Sequence, residues 1–218
     1  MHALLGFWRS TVGKKVVMAV TGIILIAFIV SHVLANLLVF GGPEPMRQYA
    51  EMLRSTGGLL WVARGGLLLA TILHVVAAVQ LTRIDIGARP VGYARREPQV
   101  STFAARTIRW GGLLLLVFVI YHLLHFTIGT VHPDFRHLEP YHNIVVGLRV
   151  PWVAAFYIVA MTALGLHLYH GTWAAFRTLG LVRPTNRPLR RRAAAALAVV
   201  VWLGFTIIPV AVLARVLR

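Results

Sequence analysis

The chain of 218 residues contains no cysteine. Disulfide bonds, thiolate metal sites, cysteine-ligated iron–sulfur clusters and covalent haem attachment through a C-x-x-C-H motif are therefore excluded. Any redox centre held by this chain must be bound through histidine or methionine, or else belong to another subunit.

Charged residues are scarce, and acidic residues are the scarcest. Charged residues make up 13% of the chain and hydrophobic residues 58%, whereas soluble domains carry roughly a quarter charged residues. The chain has 22 Lys and Arg residues but only six Asp and Glu residues, which gives a formal net charge of +16. The arginines lie between long apolar runs, so membrane orientation and anionic lipid explain them better than nucleic acid does.

Five long apolar runs predict an all-α, polytopic membrane protein. A helix needs about 20 residues to cross about 30 Å of hydrocarbon, and without water to bind its backbone such a run must be helical. We expect a single transmembrane domain over 1–218, and the first run is predicted to be a span rather than a cleavable signal. The loop 41–58 is predicted to form a short amphipathic helix on the outer surface. The predicted spans are 16–40, 59–82, 109–130, 152–176 and 193–214.

The basic residues predict the orientation of these spans. Fifteen of the 22 Lys and Arg residues precede the first span, or lie between the second and third or between the fourth and fifth. The other seven share the opposite side with four of the six acidic residues. The basic side should be cytoplasmic, so the N-terminus is expected inside and the C-terminus outside.

Each of the first four spans has a histidine deep within its apolar run: His32, His74, His122 and His167. A helix rises about 1.5 Å per residue, so His32 and His122 lie about 24 and 20 Å from the inner ends of their spans, near the outer leaflet. His74 and His167 lie roughly 21–22 Å from the outer ends of theirs, near the inner leaflet. The helical geometry therefore predicts an outer pair, His32 with His122, and an inner pair, His74 with His167.

An imidazole in hydrocarbon is costly without a partner, which makes it a functional-site hypothesis by default. Each histidine alone could be structural, bonded to a carbonyl group. Two facing imidazoles can instead supply both axial ligands of a low-spin haem, which suits electron transfer because no iron position stays open. The two pairs predict two b-type haems whose iron ligands are these four histidines.

Three further residues are candidates of second rank for the same cofactors. His125 and His170 follow His122 and His167 by three residues, on nearly the same helix face, and either could be a ligand or bind a haem propionate. Arg64 could pair with a propionate of the outer haem. The remaining histidines lie in segments predicted to be aqueous and are expected to be solvated: His2, His132, His137 and His142.

Four stretches carry a resemblance to a known family: SHVLANLLVFGGPEPMRQYAEMLR, LHVVAAVQL, YHLLHFTIG and HLYHGTWAAF. The chain resembles the cytochrome b membrane-anchor subunit of succinate dehydrogenase and fumarate reductase, in its single-chain, five-helix, two-haem class. The resemblance covers essentially the whole chain. Its most specific part is the order and depth of the histidines.

The resemblance implies an electron-transfer subunit in the inner (cytoplasmic) membrane. Such an anchor binds a flavoprotein subunit and an iron–sulfur subunit on the cytoplasmic face. It passes electrons from succinate to a membrane quinone, here expected to be menaquinone, and no succinate activity is expected from this chain alone. The resemblance implies the same ligand pairs as the depths do, and it favours His167 over His170 and His122 over His125.

Candidate quinone residues follow from the resemblance and from their position. Ser10, Lys14 and Lys15 lie near the inner face, where related anchors have polar residues around the quinone. Glu51 lies near the outer haem and could handle protons. In some fumarate reductases of this class a glutamate two residues before the fourth histidine handles protons, and this chain has Gly165 there.

Two alternative functions remain open from the sequence. The first is a di-haem cytochrome b anchor of another quinone-linked dehydrogenase, although those anchors typically have four spans. The second is a proton-coupled transporter that uses the histidines as a relay. Transporters commonly have inverted repeats and broken helices, and we find no convincing repeat. A purely structural scaffold would not explain four matched histidines.

Overall fold

The computed structural model describes residues 2–88 and 102–218, and within these ranges the chain is helical with no strand. Arg89, Arg95 and Arg96, which enter the charge count above, lie outside the described residues. The helices are α1 (His2–Arg9), α2 (Thr11–Leu37), α3 (Pro43–Ser55), α4 (Gly58–Gly87), α5 (Phe103–His122), α6 (Pro140–Leu148), α7 (Pro151–Thr178) and α8 (Arg187–Leu213).

Five helices are long and apolar enough to cross a membrane, which confirms the predicted all-α, multi-pass architecture. Two of them continue beyond their α-helical part. A 3₁₀ turn, Leu38–Gly41, extends α2, and a π-helical segment, Leu123–Ile128, extends α5. The predicted amphipathic helix within 41–58 is also confirmed, as α3.

Local sequence signals set where several helices begin. The Ser10 hydroxyl accepts a hydrogen bond from the Gly13 amide, and the Thr102 hydroxyl accepts one from Ala105. These bonds satisfy amides that would otherwise lack a partner in the first turn. A proline occupies the first turn of α3, α6, α7 and α8, where its missing N–H costs no hydrogen bond.

Four spans form a bundle in which α2 and α7 occupy the middle. Helix α4 packs on α2, α2 on α7, and α7 on α5, while α8 packs against both α7 and α2. Among the described helices, α4 packs extensively only on α2. The side between α4 and α5 is therefore open, and an ion pair between Asp85 and Arg109 joins these helices at one end.

Two short helices close the end of the bundle that holds the C-terminus of α2 and the N-terminus of α4. We call this end the C-side, and the opposite end the N-side. Helices α3 and α6 pack on each other there. The Tyr141 hydroxyl of α6 donates to the backbone carbonyl of Arg218, and the Arg54 guanidinium of α3 lies 3.1 Å from the His137 ring.

Close packing of α8 requires small residues at its contacts. Ala194, Ala198 and Val201 are buried. A methyl group added at Gly204 would lie 2.6 Å from the Val33 side chain of α2. Helices in membranes associate through such close approaches because lipid offers no hydrophobic driving force between them.

Replacing Gly204 with Ala should therefore destabilise the bundle. Overpacking of this kind typically costs about 1–3 kcal/mol, because the buried Val33 cannot move aside freely. The expected result is a lower temperature at which the detergent-solubilised protein loses its monodisperse peak on size-exclusion chromatography.

The matched control is Gly87→Ala, where an added methyl group would meet nothing within 4 Å. Equal loss of stability in the two variants would contradict this description of the α2–α8 contact.

Candidate functional site

The structure brings His32 of α2 and His122 of α5 face to face across the bundle. Their ring centroids lie 5.9 Å apart, with an interplanar angle of 83°. Among the described helices these two do not pack extensively on each other, and the two imidazoles meet between them. Phe28 stacks on His32 at 5.2 Å and Phe118 stacks on His122 at 5.7 Å, and each aromatic contact limits the rotation of its ring.

His74 of α4 and His167 of α7 form the second pair. Their ring centroids lie 6.2 Å apart, with an interplanar angle of 57°. These two helices likewise occupy opposite corners of the four-helix arrangement and do not pack extensively on each other. The structure thus brings together the same partners that the depths along the helices predict.

Polar contacts give the separation of the two pairs along the bundle. His74 contacts Thr21 of α2, which precedes His32 on the same helix by eleven residues. His122 contacts Tyr157 of α7, which precedes His167 by ten residues. At about 1.5 Å per residue, the two helices place the pairs roughly 15–17 Å apart. The pair His32/His122 lies toward the C-side.

The hydrogen bond between Thr21 and His74 sets the tautomer of this imidazole. The Thr21 hydroxyl donates its one proton to the backbone carbonyl of Val17 at 2.7 Å. It must therefore accept the bond from His74 Nδ1, 3.2 Å away. His74 Nε2 is then the ring nitrogen with a free lone pair, which is the form a metal ligand needs.

His167, unlike His74, lacks a partner for its Nδ1 among the described residues. This nitrogen is buried. Buried polar atoms are normally satisfied, so each exception calls for a physical explanation. A group bound beside this ring would provide one.

Open space adjoins His167 and Thr21, the polar partner of His74. A cavity of about 150 Å³ lies between α5 and α7, where Gly111 and His167 line it. A second, more open groove of about 430 Å³ runs between α2 and α4, and Thr21 and Gly66 line it. A methyl group at Gly66 or Gly111 would meet nothing within 4 Å, so these glycines widen space rather than serve close packing.

The donor set fits two bis-imidazole haems. A metal–imidazole bond is about 2 Å long. Two rings that ligate one iron from opposite sides therefore have centroids roughly 6 Å apart. Both observed separations match this value. Within residues 2–88 and 102–218, no group of three or more His, Cys, Asp or Glu is placed to hold a bare metal ion.

No protein-family model, curated protein or solved structure matches this chain. The two histidine pairs and their surroundings therefore carry the inference of function.

The second-rank candidates differ in their surroundings. His125 is fully buried, and its Nδ1 lies 3.0 Å from the Tyr157 hydroxyl. His170 is half-buried on α7. Arg64 is exposed near the C-side end of α4, where its guanidinium stacks over Trp61 at 5.0 Å. Contact of these residues with a haem propionate stays a prediction.

Two of the candidate quinone residues already make structural contacts. Ser10 caps α2, and its hydroxyl also donates to the Phe7 carbonyl. The ammonium group of Lys14 is buried and donates to the carbonyls of Trp8 and Arg9, at 2.9 Å each. Lys14 thus satisfies the last carbonyls of α1, as cations near helix ends commonly do.

The other two candidates are exposed on helix surfaces. Lys15 is exposed at the start of α2. Glu51 is exposed on α3, with its carboxylate 3.9 Å from Arg47. Gly165 packs against α8, since a methyl group there would lie 3.3 Å from the Trp202 side chain. This close contact leaves little room for a glutamate at position 165.

The expected solvation of His132 is wrong. His132 is 9% exposed, its Nε2 donates to the Asn143 carbonyl at 2.8 Å, and its Nδ1 accepts from the Asp134 amide at 3.1 Å. The C-side loop folds over this ring and uses both of its nitrogens, a contact between residues eleven positions apart. His137 and His142 have polar partners on the C-side surface, and the side chain of His2 lies outside the described residues.

Tyr157 is the residue of the site that the sequence did not indicate. It lies on α7 with its hydroxyl 3.4 Å from His122 Nδ1. A tyrosine within an apolar helix is unremarkable by itself. Its position ten residues before His167, about the separation in depth between the two histidine pairs, is a signal that could have pointed to it.

Proposed function

We propose that this chain is the membrane-anchor, electron-transfer subunit of a succinate:quinone oxidoreductase, with two b-type haems as its cofactors. The observation that carries the proposal is the pairing of four intramembrane histidines across the open bundle. His32 and His122 would hold one haem, and His74 and His167 the other. The choice of succinate as the electron source comes from the resemblance of the histidine-containing segments to this class of anchor.

The chain's own residues would do four things. Each histidine pair would hold one haem iron through its two imidazoles. Thr21 would orient His74. The apolar walls of α2, α5 and α7 would exclude water. The separation of roughly 15–17 Å along the helices would let electrons move between the two depths. Haem b supplies a reversible Fe(III)/Fe(II) couple.

Two soluble subunits complete the proposed complex. A flavoprotein subunit would oxidise succinate, and an iron–sulfur subunit would deliver electrons to the N-side of this chain. That side carries most of the basic residues, so we place it in the cytoplasm. Electrons would leave to a membrane quinone, with menaquinone as the proposed species and the inner membrane as the location.

The first test is the haem content of the complex purified through a tag on this chain. We expect about two b haems per chain by pyridine haemochrome, both reduced by succinate in a reduced-minus-oxidised spectrum. Absence of haem would refute the proposal and favour a proton relay or packing role for the histidines. Haem that succinate cannot reduce, but another donor can, would indicate the anchor of a different dehydrogenase.

The pairing predicts which haem each variant loses. His32→Ala or His122→Ala should remove only the outer haem, and His74→Ala or His167→Ala only the inner one, because each removes one of two axial ligands. Low-temperature spectra that resolve the two haems provide the measurement.

His137→Ala is the control for these variants, because His137 is exposed on the C-side surface, and it should keep both haems. If His32→Ala and His74→Ala abolished the same spectral component, the assignment of pairs would be wrong.

The absence of native cysteine allows a direct test of orientation. Ser55 is exposed on the C-side and Thr185 is exposed between α7 and α8 on the N-side. In intact cells a membrane-impermeant maleimide should label Ser55→Cys from outside, and label Thr185→Cys only after permeabilisation. The reverse pattern would place the N-terminus outside.

A further inference from the structure

Tyr157 places one hydroxyl group between two imidazoles in the interior of the bundle. Its oxygen lies 3.0 Å from His125 Nδ1 and 3.4 Å from His122 Nδ1. Tyr157 is 7% exposed and His125 is 0% exposed. A buried network of this kind is stabilising only when its members satisfy one another.

The protons in this network can be arranged in only one order if His122 presents its Nε2 toward His32. His122 Nδ1 then carries a hydrogen and donates to the Tyr157 oxygen. Tyr157 has one proton and donates it to His125 Nδ1, which must be the acceptor. The other nitrogen of His125, Nε2, is buried without a partner in the described part of the chain, so Tyr157 is the one polar contact found for this ring.

Two features of the backbone enclose the His125 ring: a π-helical segment and the close approach of α6. The helix widens into π-helical turns immediately after His122, and such segments often occur at functional sites. Helix α6 closes over the ring at Gly147, where an added methyl group would lie 2.8 Å from His125 Nε2 and from His132 Nε2. Only glycine leaves room for both imidazoles.

We propose that Tyr157 and His125 are positioning residues for His122. This inference rests on the proposed function, because it assigns His122 to a haem iron. Tyr157 fixes the ring orientation and the tautomer of His122, and His125 fixes the direction of the Tyr157 hydroxyl. A partner that accepts the distal N–H makes a ligating imidazole more basic. The network therefore stabilises the oxidised outer haem and lowers its midpoint potential.

The test is a redox titration of both haems in the intact complex that carries Tyr157→Phe. Loss of the acceptor should raise the midpoint potential of the outer haem and leave the inner one unchanged, and it should alter the electron paramagnetic resonance signature of the outer haem. His125→Leu should shift the outer potential in the same direction. His125→Gln, which keeps an acceptor, should restore it toward the native value.

Tyr121→Phe is the matched control. Tyr121 belongs to the same aromatic cluster, with its ring centroid 5.3 Å from that of His125 and 6.3 Å from that of Tyr157. No hydrogen bond from its hydroxyl is found among the described residues, so its removal should leave both potentials at their native values.

The outcomes separate the inference from the proposed function. A native complex without haem refutes the function itself. Two haems with native potentials in Tyr157→Phe overturn the positioning role and leave the function intact. Loss of the outer haem in Tyr157→Phe but not in Tyr121→Phe supports the role, and equal loss in both variants shows that the tyrosines act only through packing.

Discussion

The hydrocarbon core of a bilayer offers no hydrogen-bond partner to a polar group, and the rest of this structure follows from that constraint. Backbone groups satisfy themselves in five helices. Imidazoles cannot satisfy themselves, so each needs a polar partner. The bundle turns four histidines inward in two pairs across its corners. Thr21 is the polar partner of His74 and Tyr157 that of His122, whereas His167 Nδ1 has none among the described residues.

Helices at opposite corners of the bundle are linked by paired histidine rings rather than by close packing. Where α2 meets α7 and α8, small residues allow close contact, as at Gly204 beside Val33. Where α4 faces α7, and α2 faces α5, paired rings span the distance instead. The cavity beside His167 is apolar and is lined by Gly111, and a separate groove beside Thr21 is lined by Gly66.

The spans and the histidine partners could be predicted because both depend on one-dimensional rules. Apolar length predicts a span, and a fixed rise per residue converts sequence position into depth. The partners of Lys14, His132 and Tyr157 depend instead on which other segments of the chain the tertiary fold brings next to them. Lys14 reaches back to the end of α1, His132 is covered by its own loop, and Tyr157 meets a ring 35 positions away in sequence. The hydropathy of the sequence does not indicate which residues make these contacts.

The sequence by itself determined that the chain has five helices long and apolar enough to cross a membrane, that no cysteine takes part in its chemistry, and that four histidines share two depths. These follow from composition and helical rise, which do not depend on neighbours. Only the tertiary structure decided which rotation each helix adopts, and hence that Tyr157 rather than another polar group contacts His122. Helix rotation is set by the packing of several side chains at once, such as Gly147 against His125 and Gly165 against Trp202.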